Sequence, residues 1–96
     1  MRQTYIVSYD VSNPKRLRRV FKLMRGYGDH LQLSVFRCEL NARELLELRA
    51  KVGALIHHQE DQVLLVDVGP AEGRGNVSLK TIGRPMAPVE NRAVVV

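Results

Sequence analysis

Leu31-Gln32-Leu33-Ser34-Val35-Phe36-Arg37-Cys38-Glu39-Leu40 is the stretch whose reading decides the fold. Leu31, Leu33 and Val35 share one parity, whereas Phe36, Cys38 and Leu40 share the other. Side chains of a strand alternate between two faces, so a change of parity between Val35 and Phe36 requires a bulge or a tight turn between two strands. Upstream, Thr4-Tyr5-Ile6-Val7-Ser8-Tyr9 is rich in β-branched and aromatic residues and predicts a strand ending at Asp10. Asn13 followed by Pro14 is a helix start, with Asn as cap and Pro at the first helical position. Leu17, Val20, Phe21 and Met24 then keep the spacing of one buried helix face, and Gly26 and Gly28 stop the helix.

Downstream, Asn41-Ala42-Arg43-Glu44 is a capping-box-like start, and Leu45, Leu48, Val52, Leu55 and Ile56 form the apolar stripe of a second helix. Gln62–Val68 predicts a buried strand, Gly69–Asn76 a loop, and Val77–Ile82 another strand. Arg84–Asn91 holds two prolines and predicts a linker to a short apolar piece, Ala93–Val96. The order β-α-β-β-α-β with an additional C-terminal strand is an α+β, ferredoxin-like sandwich over residues 1–83, with residues 84–96 packed on a dimer partner. Two helices on one sheet face leave the other face open, which on so small a domain predicts a homodimer.

Ninety-six residues allow one domain, in which roughly 65% of the chain's surface is buried on folding. The composition, 45% apolar and 26% charged, is that of a globular chain. No apolar run approaches a membrane span, the N-terminus lacks a secretory signal, and the single Cys38 excludes an internal disulfide and a Cys-based zinc site. The expected compartment is the cytoplasm. The net charge of +5 is concentrated: Lys15, Arg16, Arg18, Arg19, Lys22 and Arg25 lie between Asn13 and Gly28 without one acid. At 100° per residue they fall opposite the apolar stripe of that helix. So one-sided a block points to a polyanionic partner, a nucleic acid, or else to a solvated helix face.

Two segments resemble a known family. Tyr5-Ile6-Val7-Ser8-Tyr9-Asp10-Val11 is similar to the opening strand of the CRISPR-associated Cas-two family, and Gln32-Leu33-Ser34-Val35-Phe36-Arg37-Cys38-Glu39-Leu40 is similar to its second signature. The two lie about 22 residues apart, Ile82-Gly83 is similar to the family's usual close, and the resemblance covers residues 4 to 83. It implies a homodimeric, magnesium-dependent endonuclease of CRISPR adaptation, acting on single-stranded RNA, double-stranded DNA or both, and partnered with the Cas-one integrase. Manganese suits the same oxygen ligands. The pattern departs at Leu33, where the family commonly has an aromatic, and at Lys15-Arg16, where acidic or neutral residues are usual.

The resemblance makes Asp10 the metal ligand and a catalytic residue. One carboxylate per chain cannot hold a magnesium ion that wants six oxygens, but a two-fold axis beside Asp10 brings a second to the same ion. Two such carboxylates about 6 Å apart repel by roughly 3 kcal/mol at an effective dielectric near 20, and a divalent cation reverses that sign. Read without the resemblance, Asp10 ends a strand and caps the turn over Val11–Asn13. Arg19 resembles a family position implicated in activity, and its fork suits a scissile phosphate. Lys15, Arg16, Arg18, Lys22 and Arg37 are expected to hold flanking phosphates, with Glu39 as the other candidate partner of Arg37. Ser34 matches a motif position where a hydroxyl orients water or phosphate. Tyr9 and Phe36 support the site; Tyr9 is equally readable as a packing aromatic, and for Phe36 the core reading is the stronger.

Other candidates carry less. His57-His58 sits at a helix C-terminus, where a surface role suits the dipole, and His30 has no partner nearby in sequence. Gly73-Arg74-Gly75 lacks the ending of a phosphate loop, and Ser34–Leu40 lacks the aromatic signature of an RNA-recognition domain. The alternative to an enzyme is a non-catalytic scaffold whose basic helices bridge DNA while its sheet edges dock the integrase.

Overall fold

The computed structural model describes residues 1–73 and 79–85. Its elements run β1 (Gln3–Asp10), α1 (Pro14–Arg25), β2 (Gly28–Gln32), β3 (Val35–Leu40), α2 (Ala42–Leu55) and β4 (Gln62–Pro70). The four strands form one antiparallel sheet in the order β2-β3-β1-β4. This is the βαββαβ arrangement expected from the sequence.

The parity change resolves into a tight turn, with a register shift in the β2–β3 ladder between His30 and Gln32 beside it. Leu33 and Ser34 connect β2 to β3, and Leu33 takes a positive φ of 33°. β2 begins at Gly28, three residues before the extended stretch expected from Leu31. A Cβ at Gly28 would lie 2.4 Å from the Arg37 carbonyl oxygen and 2.5 Å from Cys38 Sγ, so glycine is needed for close strand pairing there. Gly26 alone caps the preceding helix. β4 likewise runs past the expected end at Val68 to Pro70. The ladder shifts register between Thr4 and Tyr5, and Gly69, at φ 107°, supplies the backbone freedom that lets pairing continue beyond the bulge.

Both helix starts form as the caps predict. Asn13 Oδ1 accepts from the amides of Lys15 and Arg16 at 2.9 and 3.0 Å. The Asn41 amide donates to Glu44 Oε1 at 2.9 Å while the Glu44 amide donates to Asn41 Oδ1 at 2.8 Å, a reciprocal capping box. Val20 and Met24 of α1 and Leu48 and Val52 of α2 pack onto Val7, Tyr9, Phe36, Cys38 and Leu40 of the sheet. Among the described residues the other sheet face carries no helix, and by register it presents Ile6, Ser8 and Asp10 beside Val66, Leu64 and Gln62. Leu64 and Val66 are 55% and 41% exposed there. Of the strand expected over Val77–Ile82, residues 77–78 lie outside the described residues, and Leu79–Ile82 are not in a strand. The expected apolar piece Ala93–Val96 and all but the first two residues of the linker Arg84–Asn91 also lie outside them.

Phe36 is the centre of the core: fully buried, 5.7 Å from the Phe21 ring, 6.2 Å from Tyr9 and 4.9 Å from His30. Phe36→Ala is expected to cost about 3–5 kcal/mol in urea unfolding. A cost under about 1 kcal/mol would mean that the ring does not anchor the core.

Candidate nucleic-acid and metal site

The site is built where β1 ends and α1 begins. Strand alternation buries Tyr9 beneath the helices and sends Asp10 to the open face, where its carboxylate is exposed and makes no hydrogen bond or ion pair among the described residues. The Tyr9 amide donates to the Ser34 carbonyl at 3.1 Å, which fastens the end of β1 to the β2–β3 turn. Burial raises the Tyr9 phenol above its ordinary value, opposed by a hydrogen bond with the Ser34 side chain. The phenol therefore stays protonated, and Ser34 makes no bond to Asp10, its carbonyl being taken by the Tyr9 amide. Phe36 is wholly buried, so of its two expected roles only packing remains.

The basic residues separate into two groups. Lys15, Arg18, Arg19 and Lys22 are exposed on α1 and make no ion pair among the described residues. Their spacing of three and four places them in one row along the helix. Arg16 does not belong to that row. Its Nε lies 2.8 Å from Asp61 Oδ2 and its Nη2 3.2 Å from Asp61 Oδ1 and 3.1 Å from Glu60 Oε1. The expected phosphate contact of Arg16 is thus replaced by an intramolecular bidentate pair. Arg37 also differs from expectation. Its nearest carboxylate is Asp29 on β2, at 3.8 Å, not Glu39, and its Nε is buried without a partner among the described residues.

Asp61 is the residue that sequence reasoning missed. Its side chain is 0% exposed and, besides Arg16, accepts from the amides of Ser12 at 3.2 Å and His57 at 2.8 Å. The carboxylate therefore joins the loop after Asp10, the first turn of α1 and the turn before β4. Its pKa is lowered, first by the Arg16 hydrogen bond and then by those two amides, which outweigh its desolvation. The available sequence signal was the acidic pair Glu60-Asp61 directly before an apolar strand. The His58 ring nitrogen bonds the Gly53 carbonyl at 2.7 Å, in keeping with a role at the end of α2.

Among the described residues no three His, Cys, Asp or Glu side chains cluster as metal ligands. Asp10 offers an exposed oxygen donor of the kind magnesium takes, and a single chain gives it too few partners to hold the ion. No helix among the described residues is long and apolar enough to cross a membrane.

A family model described as CRISPR associated protein Cas2 matches residues 3–73. The chain is 45% identical over 98 residues to the CRISPR-associated endoribonuclease Cas2 of Geobacter sulfurreducens, with 100% of both chains covered. The chain belongs to the CRISPR-associated Cas2 family. It is also 38% identical over 92 residues to the CRISPR-associated endoribonuclease Cas2 1 of Rhodospirillum rubrum, covering 96% of this chain and 89% of that one. Among solved structures it is similar to Streptococcus pyogenes Cas2, with a TM-score of 0.72, 28% identity and coverage of 83% of this chain and 99% of that one. A hypothetical protein of Thermus thermophilus superposes with a TM-score of 0.75 at 28% identity, covering 94% and 100%. This Cas2 chain thus shares its βαββαβ frame with solved members of the family.

Two outcomes follow from the Asp61 joint. Arg16→Ala should lower the melting temperature clearly, because it leaves a buried carboxylate unpaired, whereas Arg18→Ala and Arg19→Ala should leave it nearly unchanged. Equal melting temperatures for all three variants would contradict the division. Because the folded pKa of Asp61 lies below its unfolded value, its contribution to stability is complete above the ordinary carboxylate range and is lost as pH falls through and below it. Urea unfolding from pH 7 down to pH 3 should therefore show a shallower acid loss in Asp61→Asn than in the native chain.

Proposed function

We propose that this Cas2 chain acts as a homodimeric, magnesium-dependent endonuclease of CRISPR adaptation, with single-stranded RNA as substrate and double-stranded DNA as a second ligand. The observation that carries the reading is Asp10, an exposed and unpartnered carboxylate on an open sheet face whose other members include the exposed Leu64 and Val66. Those apolar side chains favour covering that face with a second copy, which would bring a second Asp10 toward the first. The curated relatives from Geobacter sulfurreducens and Rhodospirillum rubrum are named endoribonucleases, which supports RNA as substrate.

In this reading the two Asp10 carboxylates hold the divalent ion, magnesium or manganese. Such an ion, when bound, supplies a nucleophile by acidifying water and offsets charge developing on the phosphate. Arg19 and Arg18 hold phosphates of the strand, Lys15 and Lys22 extend the track, and Asp61 keeps the start of α1 fixed relative to the segment after Asp10. Arg16 serves that joint and not the substrate. In the same reading the C-terminal piece, residues 84–96, adds to the edge of the partner's sheet. The Cas-one integrase docks on the dimer, which is the step that gives it a place in spacer insertion.

A second reading has its own observation: the row Lys15, Arg18, Arg19 and Lys22 grips phosphates without any help from Asp10. It makes the dimer a non-catalytic scaffold that bridges DNA. Purified protein on labelled single-stranded RNA and double-stranded DNA, with and without Mg²⁺, separates the two. Cleavage that needs the ion and disappears in Asp10→Ala, with binding retained within about twofold, supports the enzyme. Cleavage that persists in Asp10→Ala contradicts it. Spacer insertion in cells that survives Asp10→Ala would leave the scaffold as the working role.

A further inference from the structure

On the opposite side of the sheet end from Asp10, a cleft of about 420 Å³ opens between the first half of α1 and the β2–β3 turn. The buried Tyr9 and half-buried Phe21 line it together with Ser34, and Pro14, Leu17, Arg18 and Leu33 complete its walls. Two features set it apart from ordinary surface. Leu17 was expected in the core by its helical spacing, yet it is 37% exposed and faces this space. Leu33 is 87% exposed and holds a positive φ, a conformation that a leucine side chain disfavours. That conformation is held from both sides. His30 Nε2 donates to the Leu33 carbonyl at 2.8 Å, with the His30 ring 5.0 Å from Phe21 and 4.9 Å from Phe36, and Ser34 is tied to Tyr9.

The charge bordering the cleft selects its occupant. Arg18 is both a wall of the cleft and a member of the cation row with Lys15, Arg19 and Lys22, so whatever enters must carry negative charge beside a flat apolar part. An apolar peptide would leave those cations unmatched, and a base-paired duplex hides its base faces. An unpaired nucleotide satisfies both demands, with its phosphate on the row and its base between leucine side chains and the Arg18 guanidinium plane.

We propose that this cleft is a nucleobase-binding site, which takes one unpaired base of a strand whose phosphates run along α1. Resting on the reading of the chain as a single-strand RNA enzyme, it goes further by giving that strand a base-contacting site of its own. Leu33 is then a base-contacting residue, and His30 a positioning residue that acts through the Leu33 carbonyl.

The test is fluorescence anisotropy in EDTA with two labelled strands of equal length, oligouridylate and its abasic counterpart. Native protein should bind oligouridylate about tenfold more tightly than the abasic strand. Leu33→Gly, which removes the side chain and suits the positive φ, should cut that preference to about twofold. Affinity for the abasic strand and the dependence on salt should stay unchanged in that variant. Equal binding of both strands by native protein, or an equal loss for both in Leu33→Gly, would overturn the proposal. A change in oligomeric mass on Leu33→Gly would overturn it too, since the cleft would then be a contact between copies. Because no metal is present, the outcome does not depend on cleavage: a base preference retained in a protein that fails to cut RNA would count against the enzymatic reading alone.

Discussion

One buried carboxylate organises the functional end of this molecule. Asp61 accepts from two backbone amides and from Arg16, so the loop after Asp10, the first turn of α1 and the turn into β4 are held to one point. A carboxylate with 0% exposure is tolerable only with such a set of donors, because desolvation opposes the charged form. The consequence reaches function. The cation row begins in the same turn of helix that Asp61 fastens, so the distance between that row and the end of β1 is set by the joint and not by side chains free to move.

The helix caps were legible in the sequence because their signals are local: Asn13-Pro14 and the Asn41–Glu44 pair each act within one turn. The parity of Leu31–Leu40 announced an interruption, but a bulge and a tight turn look alike to alternation. The pairing of β2 with β3 and the positive φ at Leu33 show the turn, and the ladder shifts register between His30 and Gln32 as well. β2 itself started early because Gly28, Asp29 and His30 have weak strand preference and are extended only by their pairing with β3. The Arg16–Asp61 pair was not legible at all. Its members are 45 residues apart, and a block of like charges gives no hint that one member turns inward. Leu17 was misplaced for a related reason: helical spacing defines a stripe, but the first turn of that stripe reaches past the sheet to the β2–β3 turn.

The comparisons and the geometry contribute different things. Full-length similarity to curated Cas2 proteins establishes the family, and the sheet order shows the same frame. Neither says how a chain with no three-ligand cluster among the described residues would handle a divalent ion. The open sheet face offers an answer through symmetry, since Asp10 shares it with the exposed Leu64 and Val66. In the proposed dimer the two faces divide the work: one meets a second copy, and the other carries the cation row with its cleft.

The central claim is that the metal belongs to a pair of chains. Calorimetric titration of the purified protein with Mn²⁺, beside its mass by sedimentation, tests it most directly. The account predicts a dimer that binds one ion per two chains at the Asp10 site and loses that binding in Asp10→Ala. One ion per chain, or the same binding in a monomer, would contradict it.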